Sequence, residues 1–319
     1  MERYVFSGSL TTQMHDMLLN MPNFEPFDIL VSQLDKSSIN KMIEWKKEGF
    51  VRWLFIDSGA FSVHTGKANT TADEYIEYLN SIDDYIDVCA QLDTIPGKFG
   101  EVKSPQDYVD SAEKSWENFL YMRSKLKSPN KLMPVFHFGE DVSYLGRILS
   151  WRDENGKQLD YIGLSPANDE SKKARMIYLQ DMYDYIKSSD NPDVKTHIYG
   201  FTSLEAMSKF PCYSADSITH RKLSGYSKII SVNFGIVSIS KRVRANKVKS
   251  NMSFVDAADE YNMKLLENEM KSLGFTIEEL QESVSARVAV TMHNLQILAK
   301  TKYKYKDSNH VRSRKLFQL

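Results

Sequence analysis

Apolar residues fall along this chain in short runs rich in β-branched and aromatic side chains, and between the runs the pattern changes to helical spacing. The runs cover 28–32, 53–57, 87–93, 133–138, 160–165, 197–201, 212–217 and 229–234. Most show little polar alternation, as strands covered on both faces do. Amphipathic stretches at 72–82, 107–125, 172–186 and 203–209 lie between them. Strand and helix alternating through eight runs predicts a (β/α)8 barrel over residues 1–240, an α/β fold of the TIM type. An open doubly wound sheet is the alternative, but no glycine-rich phosphate loop favours it. Residues 241–319 are expected to add a basic segment and two helices, 254–274 and 276–300, that pack on the barrel.

Barrels of this kind keep their chemistry at the carboxyl ends of the strands. The run Trp53-Leu54-Phe55-Ile56 ends in Asp57-Ser58-Gly59-Ala60, a carboxylate followed by residues small enough for a tight turn and a close ligand. Later runs end in Leu92-Asp93, His137-Phe138-Gly139, Gly163-Leu164-Ser165, Tyr199-Gly200 and Ala215-Asp216-Ser217. For any one of these aspartates a helix cap or a solvated rim carboxylate is the plainer reading. Three of them facing one mouth would repel each other and raise at least one pKa, an arrangement better explained by function.

Composition narrows the field. The chain has 319 residues, 42% of them hydrophobic, with 41 basic and 42 acidic residues, so no global charge draws it to nucleic acid or membrane. Positive charge is local. Lys241, Arg242, Arg244, Lys247 and Lys249 follow the last run, and the stretch from Lys300 to Lys315 carries seven basic residues against one acid, with Tyr303 and Tyr305 between them. A basic segment with aromatics suits a polynucleotide backbone; a solvated charge run is the alternative, above all for the tail. No apolar stretch approaches the roughly 20 residues of a membrane span and the first residues lack a signal peptide's apolar core, so a cytoplasmic protein is expected. Cys89 and Cys212 sit in apolar contexts and read as buried thiols; two cysteines cannot make a cysteine-rich zinc site.

At the level of motifs, Asp57-Ser58-Gly59-Ala60-Phe61-Ser62 resembles the Asp-Ser-Gly-Gly-Phe-Gln signature of the tRNA-guanine transglycosylase family. Tyr213 to Arg221 resembles that family's nucleophile motif, and Leu92-Asp93 its base-reading aspartate. His137-Phe138-Gly139 stands near its Gln-Gly segment, Gly163-Leu164-Ser165 resembles its Gly-Leu strand, and His197 to Phe201 its Tyr-Leu-Met-Gly segment, colinear from about residue 28 to 235. The family's cysteine zinc cluster has no counterpart after Cys212, Ser62 replaces the Gln, and Ala60 replaces the second Gly. In this the chain looks more like the deazapurine DNA-modifying, DpdA-type branch known from phages and bacterial modification islands, which places it in a bacterial cell or phage-infected host.

The resemblance implies a pentosyltransferase that exchanges a guanine in DNA for a 7-deazaguanine such as 7-cyano-7-deazaguanine, with no cofactor; because the cysteine ligands are missing, no metal is expected. Asp216 is the expected nucleophile and Asp57 the general acid and base. Asp93 is expected to bind the base, with Ser58, Gly59, His137, Gly163, Leu164, Ser165 and Gly200 around it, and Arg221 to join the basic segment on phosphates. A free 7-deazaguanine and DNA, or tRNA, are the expected partners, together with a second copy or partner modification subunits. Alternatives are a tRNA-guanine transglycosylase, a barrel nucleoside or glycoside hydrolase using the same carboxylates with water as acceptor, and a non-catalytic nucleic-acid-binding subunit, against which the presence of both Asp57 and Asp216 argues.

Overall fold

The computed structural model describes residues 2–167, 170–240 and 253–301. In chain order the elements are β1 (Arg3–Ser7), α1 (Thr12–Leu19), β2 (Phe27–Ser32), α2 (Lys36–Lys47), β3 (Val51–Asp57), α3 (Ala60–His64), α4 (Ala72–Ser81) and β4 (Val88–Ala90). There follow α5 (Pro105–Lys125), β5 (Leu132–Met133), β6 (Val135–His137), α6 (Val142–Ser150), β7 (Tyr161–Ser165), α7 (Lys172–Lys187), β8 (Lys195–Ile198), α8 (Leu204–Lys209), β9 (Ser214–Ser217) and α9 (Thr219–Gly225). The chain continues with β10 (Lys228–Ser231), β11 (Gly235–Ser238), α10 (Phe254–Ala257), α11 (Glu260–Ser272), α12 (Ile277–Glu282) and α13 (Val284–Thr301).

Nine parallel strands form one sheet in the order β5-β4-β3-β2-β1-β9-β8-β7-β6. Only Pro134 separates β5, at one end of that order, from β6 at the other. Having no N–H to give to a ladder, the proline interrupts the strand while its carbonyl accepts from Gly163 N at 2.8 Å. One stretch of chain, 132–137, therefore touches both ends of the sheet and leaves it a nearly closed, barrel-like wall with helices outside.

Side chains alternate across that wall. Val5, Leu30, Trp53, Phe55, Val88, Ala90, Met133 and Val135 fill the interior with Tyr161 and Tyr199. Their neighbours in sequence, among them Phe6, Ile29, Leu54, Ile56, Cys89, Phe136, Leu164, Ile198 and Ala215, join the larger core beneath the helices. Both faces are apolar, which is why the runs lack polar alternation. At the amino ends of the strands Asp28, wholly buried, accepts from Arg3 Nη1 at 3.2 Å and from Arg52 Nε and Nη2 at 2.8 and 2.7 Å, which ties β1, β2 and β3 together.

Helix starts follow local chemistry. Thr71 with Glu74, and Ser104 with Asp107, close capping boxes on α4 and α5, and Pro105 opens α5 where its missing N–H costs nothing. The 14 residues between Ala90 and Pro105 form a loop that arches over the carboxyl ends of the strands.

Three sequence expectations change. The sheet begins with Arg3–Ser7, a strand with only three apolar residues that was not counted among the runs. The run 229–234 does not enter the sheet: Lys228–Ser231 pairs antiparallel with Gly235–Ser238, the next strand in the chain, as a separate hairpin. Each expected C-terminal helix is broken in two, at Ala258 and Asp259, where Asp259 caps the second piece, and at Ser283, whose backbone is extended. Of these, α13 packs on α1, α9, β1 and β10. Cys89 and Cys212 are free and buried.

Candidate active site

The inward-facing residues at the carboxyl ends of the strands form the top layer of the interior, and this is where the polar residues gather: Ser7 on β1, Asp57 on β3, His137 on β6, Ser165 on β7 and Asp216 on β9. Above them opens a cavity of about 490 Å³, lined by Asp57, Asp93, His137, Ser165, Tyr199, Gly200 and Asp216 and roofed by Phe61, His64, Pro96, Phe99 and Lys103. The volume suits a purine base with room for part of a sugar.

The three aspartates share the cavity in different states. Asp57 is pushed up to about 7 by desolvation and by the charges of Asp93 and Asp216, against the backbone amides of Gly59 and Ser58. The Gly59 amide donates to Asp57 Oδ2 at 3.0 Å. That turn needs glycine: φ is +76°, and a Cβ would lie 2.7 Å from Leu34 Cδ1.

Asp216, 6% exposed, is held by three donors. Oδ2 accepts the Ser7 hydroxyl, and Oδ1 accepts the Gly200 amide at 2.8 Å and lies 3.2 Å from His197 Nε2. The other nitrogen of His197 meets Ser214 Oγ at 2.5 Å, which in turn meets the hydroxyl of Tyr161. A column of polar groups thus runs down the interior beneath this carboxylate.

Asp93 lies past the end of β4. Its Oδ1 accepts from Ser58 Oγ at 2.7 Å, and its Oδ2 lies 2.8 Å from His137 Nε2. Behind the histidine stands Glu140, whose Oε1 is 3.2 Å from His137 Nδ1 and whose Oε2 accepts the His137 amide at 2.9 Å. Burial alone would lower the His137 pKa, but Glu140 and Asp93 outweigh it and raise it to about 10. Tyr199 crosses the floor with its hydroxyl buried and unpartnered, its pKa raised well above the usual value by burial and by Asp57, Asp93 and Asp216. Gly163 makes room for it, since a Cβ there would come within 2.8 Å of the tyrosine ring.

Of the residues expected at the site, Asp57, Asp93, His137, Ser165, Gly200 and Asp216 line the cavity together. Ser58 is buried behind it and acts on Asp93; Gly59 acts on Asp57. The side chain of Leu164 faces the core beneath the helices. The amides of Gly163 and Gly200, expected to meet a base carbonyl, are already given to Pro134 O and to Asp216. Arg221 is exposed on α9 and reaches back to the end of β1, where its Nη1 would meet a Cβ at Gly8 at 3.0 Å. Lys241, Arg242, Arg244, Lys247 and Lys249 lie outside the described residues.

Four residues were given no site role from the sequence: Ser7, Glu140, His197 and Tyr199. Ser7 was hidden with its uncounted strand. Glu140 had a signal, the i,i+3 spacing from His137 across a glycine turn. His197 on β8 and Tyr199 just past its end are two positions apart and so share the inward face.

Among the described residues no group of three or more His, Cys, Asp or Glu side chains is arranged to hold a metal ion, and no helix is long and apolar enough to cross a membrane. No protein-family model matches the chain, and a search of curated proteins finds no match. The functional reading therefore rests on the geometry of the cavity and the motifs that line it.

Proposed function

We propose that the protein is a guanine transglycosylase built on a (β/α)8 barrel, exchanging a guanine in DNA for a free 7-deazaguanine through a covalent aspartyl intermediate. The observation that supports this most is the division of labour among three carboxyls around one cavity: Asp216 fixed by three donors, Asp57 raised to about 7, and Asp93 oriented by a serine and a histidine.

In this reading a carboxylate of Asp216 attacks C1′ of the sugar while the C1′–N bond to guanine breaks, and Asp57 gives its proton to the departing base. The incoming deazaguanine then returns a proton to Asp57 as its ring nitrogen attacks C1′ and frees Asp216. A pKa near 7 suits a group that must give and take a proton in one cycle. Asp93 accepts the N1–H and exocyclic amine of guanine, two donors side by side. The target nucleotide must leave the base stack to reach the cavity, flipped out or single-stranded. Arg221 and the basic segment that follows residue 240 would hold the backbone on either side.

The test is an exchange assay: the protein with DNA or tRNA carrying labelled guanine, with and without 7-cyano-7-deazaguanine. Label released beyond one equivalent of protein only in the presence of the incoming base supports exchange. Release in its absence with an abasic product points to a hydrolase, and preference for tRNA points to the tRNA branch.

A further inference from the structure

The ring of His137 lies between two carboxylates, 2.8 Å from Asp93 and 3.2 Å from Glu140, with side chains that are 7%, 10% and 3% exposed respectively. A neutral imidazole has one N–H, whereas carboxylates only accept. Hydrogen bonds at both ring nitrogens therefore require either an imidazolium or a protonated carboxyl. Glu140 has no freedom to turn away, since its second oxygen accepts the backbone amide of His137 itself at 2.9 Å. His197, by contrast, has Ser214 on one side, a hydroxyl that donates or accepts, and so carries no such requirement.

We infer that Glu140 is a positioning residue for Asp93: through His137 it fixes that carboxylate in plane, so that the cavity selects a ligand edge with two adjacent N–H donors. The inference rests on the base-reading role proposed above for Asp93. With Oδ1 held by Ser58 and Oδ2 by His137, the lone pairs left to Asp93 point where only donors are satisfied. An edge presenting an acceptor there leaves two acceptors facing each other in a desolvated pocket. The other titratable groups around this triad are Asp57 on β3, Asp216 on β9, Tyr199 after β8, Tyr144 on α6, Tyr178 on α7, and His64 and Lys103 at the cavity mouth. Within the triad, Glu140 and Asp93 favour the imidazolium against its burial.

The first arm is an NMR titration of histidine-labelled protein, with the His137 resonance assigned by its loss in His137→Asn. His137 should remain an imidazolium to about pH 9 in the wild type and should titrate near its ordinary value, about 6.5, in Glu140→Gln. Glu140→Asp, which keeps the charge, should titrate closer to the wild type than Glu140→Gln does. The second arm compares free guanine with hypoxanthine, which lacks the exocyclic amine, as competitors for the site. Preference for guanine should fall roughly tenfold in Glu140→Gln, the loss expected when a charge-assisted contact is misaligned. Ordinary titration of His137 in the wild type overturns the proposal whatever the protein's activity and however the variants fold, and so does an unchanged guanine preference in Glu140→Gln. The expected titration with no guanine bound supports the hold of Glu140 on Asp93 and counts against the base-exchange function instead.

Discussion

His197 Nε2 lies 3.2 Å from Oδ1 of Asp216, inside a barrel interior where the histidine is wholly buried. The ring also packs edge-on against Phe55 at 5.0 Å and Tyr199 at 4.6 Å between centroids, so the carboxylate is aimed from a rigid base. Replacing His197 with Phe should keep the aromatic packing and lose the hydrogen bond. Exchange should slow by about 100-fold with binding of polynucleotide little changed, because a small misplacement of a nucleophile is felt mainly in the chemical step. Single-turnover rates alongside binding isotherms check this, and an equal loss in both would mean that the histidine is only a packing residue.

Asp57 should make stability fall as pH rises. Its carboxyl ionises near 4 in the unfolded chain but near 7 in the folded one, so the unfolded state loses its proton first. The native state has its full share of stability below about pH 4 and loses it progressively up to about pH 7. Asp57→Asn removes this loss, and by about pH 8 it should be more stable than the wild type by up to about 4 kcal/mol, while exchanging no base. Thermal unfolding from about pH 4 to pH 8 would show the two melting curves separating as pH rises. Curves that stay parallel would mean that the carboxyl is not desolvated.

The expected fold was legible where both faces of a strand are apolar. The Trp53 to Ile56 run is buried outward by Leu54 and Ile56 and inward by Trp53 and Phe55, so its sequence carries no ambiguity about being a strand. Arg3–Ser7 escaped because its two ends are polar for reasons that only the closed sheet reveals: Arg3 reaches Asp28 on the next strand, and Ser7 reaches Asp216, 209 residues away. The hairpin at 228–238 was misplaced because an apolar run states that it pairs and not with what. At the site, the rule that a barrel keeps its chemistry at the carboxyl ends of its strands pointed to Asp57, His137 and Asp216, which line one cavity, but the partners that set their behaviour come from other strands. Asp93 and His137 are 44 positions apart and meet only because the stretch 132–137 touches both ends of the sheet.

The buried Asp28 is a structural charge. Asp28→Ala would leave Arg3 and Arg52 without their shared partner at the bottom of the barrel and should cost about 3 kcal/mol of stability. It lies at the opposite end from the cavity, so the specific activity of the folded fraction should be unchanged. Denaturant unfolding with activity measured on the same samples separates the two effects; loss of activity without loss of stability would contradict this assignment.

Phosphate contacts should show in the salt dependence of DNA binding. Arg221→Ala, near the end of β1, should flatten the slope of log affinity against log salt by about one, and Arg242→Ala with Arg244→Ala by about two. Base preference should stay the same in each, since phosphates position the strand and do not specify the base. A titration across salt concentrations with one oligonucleotide measures it, and an unchanged slope in both variants would move the binding surface elsewhere.

The central claim is that Asp216 carries the sugar between two bases. The direct measurement is mass spectrometry of protein quenched in acid after a single turnover with guanine-containing DNA and no incoming base, followed by peptide mapping. The account predicts an adduct with the strand on the peptide containing Asp216, absent in Asp216→Asn, which should also lose exchange by several orders of magnitude while keeping its fold. An adduct on another residue, or exchange at near wild-type rate in Asp216→Asn, would contradict it.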